Sequence, residues 1–343
     1  MIFHENNDMS ITSVSVVIVT LNCKDALKEC LIRLKTQQEI PDNFEILVVD
    51  GGSSDGTKEI ALEFGASFIE GGYKDNQEAR RLVGINKANN QIVLILDSDN
   101  FIPHKSWLKN MIAPFSDSQI IGSFPMRYQY EPQETLMNRY FALMGVNDPI
   151  PFYLGKADRL SYLFDNWNMS GHIIEENGSY YKIRFNPDDL PTIGCNGFFL
   201  RREAVIKLSL KPEEFFHIDV NYDLVKKGLD TYAVVKDGII HSTGQTFMYN
   251  LKKRLSYKDI HHTQMTGLRR YKVFDFSSFK DRINLIKFIF FSLTLIEPLV
   301  LSIRGYFRVR DRAWFLHPFV CLGFVFAYGF SSIKSIAFKR REK

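Results

Sequence analysis

The sequence has few of the features that assign a role quickly. Its four cysteines, Cys23, Cys30, Cys195 and Cys321, form neither a CxxC pair nor a dense framework, which argues against a structural zinc module and a disulfide-stapled fold. A reducing, cytosolic-side setting is the simpler expectation. No GxGxxG follows the first apolar strand, so a dinucleotide-binding dehydrogenase is excluded. The glycine-rich phosphate loop of a sugar-nucleotide pyrophosphorylase is missing from the same place. Charge of one sign is scarce: 43 basic against 39 acidic side chains leave a formal charge of +4, with no basic run near the front, so nucleic acid is not an expected partner. The segment from Met1 to about Thr12 lacks the basic and apolar regions of a secretory signal, and residues 1–13 read as a flexible leader. The sequons Asn168-Met169-Ser170 and Asn177-Gly178-Ser179 are short patterns that arise often by chance and carry no weight.

What is present is a strong α/β alternation. Val14 to Leu21 is an almost unbroken β-branched and apolar run, the pattern of a strand buried on both faces of a parallel sheet. A helix is expected over roughly Asp25 to Gln38, then a strand from Phe44 to Asp50. The loop Gly51 to Gly56 leads into a helix from Thr57 to Phe64. The unit repeats with a short strand over Ala66 to Glu70, a helix over Gln77 to Ala88 and a strand over Gln91 to Leu96 that runs into Asp97. Ligands of open parallel sheets bind beyond the carboxyl ends of the strands, so Asn22, Asp50 and Asp97 are expected at one rim. From Ile120 to about Tyr249 the alternation is less regular, with loops, aromatic residues and short strands mixed with the sheet.

The sharpest chemical signal is Asp97-Ser98-Asp99, two carboxylates delivered by a buried strand onto a solvent-facing turn. Hard oxygen ligands of this kind suit Mg²⁺ or Mn²⁺. Read alone, the triplet is more readily a solvated surface turn. Its context decides: Val16 to Asn22, then Ile46 to Thr57 with Asp50-Gly51-Gly52-Ser53-Ser54-Asp55-Gly56, then Ala79-Arg80-Arg81 before Gly84-Ile85, then the triplet, all in order. Together these resemble the family 2 glycosyltransferases, inverting nucleotide-sugar enzymes of the GT-A fold. The resemblance covers about Val14 to Gly244.

That resemblance implies roles residue by residue. Thr20, Asn22 and Asp50 would bind the donor's base and ribose, Asp97 the nucleotide side, and Asp99 a divalent metal. Arg81 would join the donor-binding set near the diphosphate, standing where the family often carries an arginine three residues before the helix glycine, with Leu82 replacing the usual asparagine. Thr192 to Arg202 resembles the acceptor loop, with Gly194, Cys195, Asn196 and Gly197 lining it. Phe215-Phe216-His217-Ile218-Asp219 resembles the segment that supplies the catalytic base; Ile218 replaces the first acid of the usual pair and Asp219 keeps the second, with Asp223 as fallback. His241, ending a later strand, resembles a histidine that approaches the metal or diphosphate. The Gln-x-x-Arg-Trp motif of processive relatives is absent.

The C-terminal part has a different composition. Ile283 to Ile303, interrupted by Lys287 and by Glu297-Pro298, and Trp314 to Ile333 are apolar stretches near the length that spans a bilayer, separated by Arg304, Arg308, Arg310 and Arg312. A spanning hairpin would place that basic linker opposite the N-terminal domain, against the positive-inside rule; interfacial or re-entrant helices avoid the conflict. Buried core helices are the alternative. His261-His262, among Lys252, Lys253 and Arg254, reads as a membrane-surface or acceptor-phosphate face. The expected organisation is a leader (1–13), a GT-A glycosyltransferase domain (14–250, a mixed, mainly parallel sheet flanked by helices) and a membrane-associated helical region (251–343). The expected activity is transfer of a sugar, on the cytoplasmic side of a membrane, from a nucleotide sugar, UDP being the first choice, to a lipid-linked or cell-envelope glycan acceptor. The competing expectation is a catalytically degenerate, membrane-bound scaffold that binds the donor without transfer.

Overall fold

The computed structural model describes residues 13–258 and 269–341. The leader up to Thr12 and His261-His262 lie outside the described residues. In chain order the elements are β1 (Ser13–Thr20), α1 (Lys24–Lys35), β2 (Asn43–Asp50), α2 (Thr57–Glu63), β3 (Ser67–Glu70), α3 (Gln77–Lys87), β4 (Ile92–Asp97), β5 (Asn100–Phe101), α4 (Trp107–Ile112) and β6 (Gly122–Tyr128). Then follow α5 (Leu136–Met144), α6 (Pro149–Leu154), β7 (His172–Glu176), β8 (Tyr180–Arg184), β9 (Phe198–Arg201), α7 (Arg202–Ile206), α8 (His217–Lys226) and β10 (Thr231–His241). The chain continues through α9 (Phe247–Lys258), α10 (Phe279–Thr294), α11 (Ile296–Arg308) and α12 (His317–Arg341).

The chain forms two compact units, each assembled from separated segments. The first comprises Met1–Met126, Gly171–Asp188 and Ile193–Ile239. It holds a mixed sheet in the order β3-β2-β1-β4-β9-β6-β10-β8-β7, with β5 paired to β10. The β3-β2-β1-β4 half is parallel, and β9 joins it antiparallel to β4. β1 is the centre of the parallel half, which is why Val14, Val16, Val17 and Ile18 are fully buried on both faces. Each such side chain contributes on the order of 1.5–3 kcal/mol of burial. The helix over the sheet is fixed by a glycine: a Cβ at Gly84 of α3 would stand 2.3 Å from Val17 Cγ1 and 2.9 Å from Val49 Cγ2. Only a bare backbone lets α3 lie this low.

The second unit comprises Arg127–Ser170, Asp189–Thr192 and Ile240–Lys343. It is helical, and its own core packs Met137, Tyr140, Phe141 and Met144 of α5 with Phe288, Leu301, Trp314, Val320 and Phe324. The apolar stretch expected as one element over Ile283 to Ile303 is broken. Pro298 lacks an N–H and its ring clashes with the carbonyl of the fourth residue back, Thr294, so α10 stops there. Leu295 takes a left-handed φ of 59°, and α11 leaves at 80° to α10.

Candidate active site

The site is built at the carboxyl ends of the parallel strands in the first unit. The register pairs Thr20 with Asp50 and Val19 with Asp97, so the ends of β1, β2 and β4 come together at one rim. The loop after β2 is then tied down by its own polar groups. Asp50 accepts from the backbone N–H of Gly52 and Ser53, both at 2.7 Å, and from Ser53 Oγ at 2.5 Å. Asn22, itself at φ 50°, donates its backbone N–H to Ser53 Oγ and accepts from Ser54 N–H at 2.9 Å. A carboxylate has about four acceptor positions, so Asp50 keeps roughly one for another partner. The Thr20 hydroxyl beside it is buried with no hydrogen-bond partner.

On the other side of the rim a buried ionic chain holds Asp97. Arg81 Nη2 donates to both Asp97 carboxylate oxygens, at 2.7 and 2.9 Å, while Nη1 donates to Glu78. Glu78 also accepts from the backbone N–H of His217 at 3.1 Å and meets His217 Nδ1 at 2.9 and 3.0 Å. Glu78 and Arg81 are each only 1 % exposed. Burial alone would discharge both groups. The neighbouring opposite charges outweigh it: Arg81 and His217 hold Glu78 well below the ordinary carboxylate range, and Asp97 and Glu78 hold Arg81 above its ordinary value. Burial opposes the charge on His217 too, yet Cys195 and Glu78 raise it to about 10, which favours the imidazolium beside Glu78.

Asp99 is set by a different device. The Asp97 backbone N–H donates to Asn100 Oδ1 at 3.0 Å, and Asn100 Nδ2 donates to Asp99 Oδ1 at 3.2 Å, so the fully buried Asn100 fixes the turn and one carboxylate oxygen. Asp97 and Asp99 are both partly exposed. No group of three or more His, Cys, Asp or Glu placed to hold a metal occurs among the described residues. Two adjacent carboxylates without a protein cage do fit the way Mg²⁺, and by the same hard-ligand logic Mn²⁺, binds through one or two carboxylates and substrate phosphates.

The expected acceptor loop sits beside these groups. Gly197 N–H donates to Ile95 O at 3.1 Å, which pins the loop to the end of β4, and Cys195 lies close enough to His217 to act on its charge. Gly194 has a φ of 127°, and a Cβ there would be 2.8 Å from His217 O and 2.7 Å from Asn221 Nδ2. Asn196 is also left-handed at φ 55°. Asp219 is fully buried in the first turn of α8, where the amino-terminal end of the helix favours a carboxylate. Asp223, one turn on, is partly exposed. His241 belongs to the second unit and Asp99 to the first. His241 stacks on Tyr128, centroids 5.5 Å apart, in a shallow recess lined also by Glu131, Glu134, Asn138 and Phe141.

Thr20, Asn22, Asp50, Arg81, Asp97, Asp99 and the Gly194 to Gly197 loop thus share the first unit. Sequence reading missed Glu78, Asn100 and the charge on His217. Glu78 was findable, because three residues separate it from Arg81 on one helical face. It also passed over Arg80, which is buried, donates from Nη1 to Tyr73 O at 2.6 Å and Lys74 O at 2.9 Å, and lies near Asp50 and Asp97.

Sequence comparison settles the family, because the profile described as Glycosyl transferase family 2 matches residues 15–208, more than half of the chain. The chain belongs to glycosyl transferase family 2. This family 2 glycosyltransferase is 33% identical over 134 residues to Glycosyltransferase AglE of Haloferax volcanii, a match covering 37% of the chain and 43% of that relative. It is 30% identical over 138 residues to the uncharacterized glycosyltransferase MG025 of Mycoplasma genitalium, covering 38% of the chain and 46% of that relative. The matches therefore span less than half of these curated relatives. Among solved structures, the fold is similar to that of the mannosyltransferase PcManGT from Pyrobaculum calidifontis, solved with GDP-Man and Mn²⁺, with a TM-score of 0.52 at 12% identity over 95% of this chain and 88% of that one. At that identity the likeness is one of fold.

Proposed function

We propose that this glycosyltransferase moves one sugar from a nucleotide-sugar donor, with a UDP-sugar as first choice, to a lipid-linked or cell-envelope glycan acceptor at the cytoplasmic face of a membrane. The observation that carries the reading is the Asp97 carboxylate locked by Arg81 at the rim where β1, β2 and β4 end. Thr20, with its unpartnered buried hydroxyl, and Asp50, with spare acceptor capacity, suit the polar edge of a base or ribose. Asn22 holds the loop that frames them. Arg81 is spent on Glu78 and Asp97, so its part is to aim Asp97, while Arg80, held through Nη1 by the Tyr73 and Lys74 carbonyls, carries a second positive charge near Asp50 and Asp97.

A divalent ion, when bound, would supply Lewis-acid neutralisation of the leaving diphosphate. Asp99, with Asp97, would hold it. The acceptor hydroxyl, resting against the Gly194-Cys195-Asn196-Gly197 loop, attacks the anomeric carbon from the face opposite the nucleotide. The new glycosidic C–O bond forms as the bond to the diphosphate breaks, and the configuration inverts. Asp219 takes the hydroxyl proton in this scheme, with Asp223 as the alternative base. The exposed apolar face of α10 to α12 supports attachment to a membrane.

A second reading, donor binding without transfer, draws support from Ile218 in place of an acid and from the complete burial of Asp219. Metal-dependent nucleotide release from a panel of UDP- and GDP-sugars tests both. Release that disappears in Asp99→Ala supports the transferase. Donor binding with no release under any acceptor supports the scaffold. Comparing Asp219→Asn with Asp223→Asn assigns the base.

A further inference from the structure

The bent pair α10–α11 carries more than attachment. α10 exposes Phe279 (71 %), Ile286 (66 %) and Phe290 (57 %), and α11 exposes Ile296 (59 %), Val300 (47 %) and Phe307 (74 %) to solvent. Contiguous aromatic and aliphatic exposure of this extent marks an interaction surface. Between Lys287 and Arg304 the only charged residue is Glu297, which is half-buried, whereas both outer ends of the pair are basic. Lys280 and Arg282 open α10; Arg304 and Arg308 close α11, with Arg310 and Arg312 just beyond; all six are exposed, and Arg308 is already paired with Asp165.

Length and angle define what such a pair can do. At about 1.5 Å per residue α10 is about 24 Å long and α11 about 20 Å, so neither crosses a hydrocarbon core of about 30 Å. Bent by 80°, the pair is an open V. Set symmetrically, its limbs descend about 12–15 Å, close to the depth of one leaflet. The apex at Leu295 then lies deep, and the basic ends return to the same headgroup layer.

We propose that α10–α11 is a re-entrant wedge that enters one leaflet of an anionic membrane apex first and leaves on the side it entered. This deepens, and rests on, the membrane attachment proposed above, and it reconciles two apolar segments with a basic connector that a spanning hairpin would carry across the bilayer. The occupant of the face is lipid rather than a second copy of the chain, because pairing the face with itself would bring the flanking cations together, whereas anionic headgroups neutralise both ends at once.

The test uses the full chain with vesicles of phosphatidylcholine alone or mixed with phosphatidylglycerol. Flotation is expected with the mixed vesicles, and Arg304→Ser/Arg310→Ser is expected to weaken it on the order of tenfold. Lys280→Cys and Arg310→Cys, probed with an impermeant maleimide added outside and read peptide by peptide by mass spectrometry, are both expected to label, while Ile296→Cys is protected by vesicles. Failure to float, with self-association in solution, overturns the attachment and the wedge together. Flotation with only one of positions 280 and 310 labelled overturns the wedge alone, as does a position 296 that labels as fast as position 280. None of these outcomes bears on nucleotide release.

Discussion

Arg81 grips both oxygens of Asp97 through one nitrogen while its other terminal nitrogen holds Glu78, so a single buried guanidinium aims the carboxylate at the head of the site. Removing it strands two acids. Arg81→Ala is expected to destabilise the first unit by about 3–5 kcal/mol, since Glu78 is left buried with His217 as its remaining ionic partner. Arg81→Lys restores charge without the forked geometry and is expected to regain stability more than nucleotide release. Denaturant unfolding alongside release kinetics reads both effects.

His217 makes stability depend on pH in the alkaline range. Its folded value, raised to about 10, lies above the ordinary 6.5, so its contribution is complete below about 6.5 and fades as pH rises towards 10. Glu78 acts with the opposite sign: its depressed value gives a contribution that is present above the ordinary carboxylate range and lost in acid. The denaturation midpoint should fall between pH 7 and 10, and His217→Gln should flatten that slope. An unchanged slope would mean that the imidazole is neutral in the folded protein.

Asn100 acts on Asp99 without touching a ligand itself. Asn100→Ala removes the donor to Asp99 Oδ1 and the acceptor for the Asp97 N–H. Loss of an outer partner of this type typically weakens metal binding by roughly 10–100-fold. Titrating Mn²⁺ against nucleotide release should show a raised metal requirement, with the maximal rate largely recovered at saturating metal.

Gly84→Ala tests the helix-to-sheet contact. The added methyl would meet Val17 and Val49 within 3 Å, so α3 must lift. A loss of roughly 1–3 kcal/mol is expected from overpacking. Because Glu78 and Arg81 ride on α3, nucleotide release should fall with stability, and a variant that keeps both at wild-type level would show that α3 has room to move.

The parallel half of the fold was legible because its chemistry is local. Uninterrupted β-branched runs such as Val16 to Val19 have one reading in a sheet covered on both faces, and the strand-end residues Thr20, Asp50 and Asp97 followed from where those runs stop. The Glu78–His217 pair was not legible, because 139 residues separate its members and only the packing of α8 near α3 makes it. Asp50 shows a third case. Its position was readable, but that the loop already takes most of its acceptor capacity depends on the turn geometry at Gly52 and Ser53. In the C-terminal part, hydropathy located the apolar stretches, while the break at Leu295 came from the backbone clash that Pro298 imposes.

The core of the second unit joins α5, which precedes β7 in the chain, to Trp314 and Phe324, which lie far beyond β10. Shortening the gene after β10, the usual route to a soluble catalytic fragment, would therefore leave Met137, Tyr140 and Phe141 without the partners that now cover them. Such a fragment would trade one greasy surface for another. A workable alternative keeps the entire polypeptide and replaces the outward phenylalanines of α10 and α11 with polar residues, which leaves the buried Phe288 and Leu301 in place.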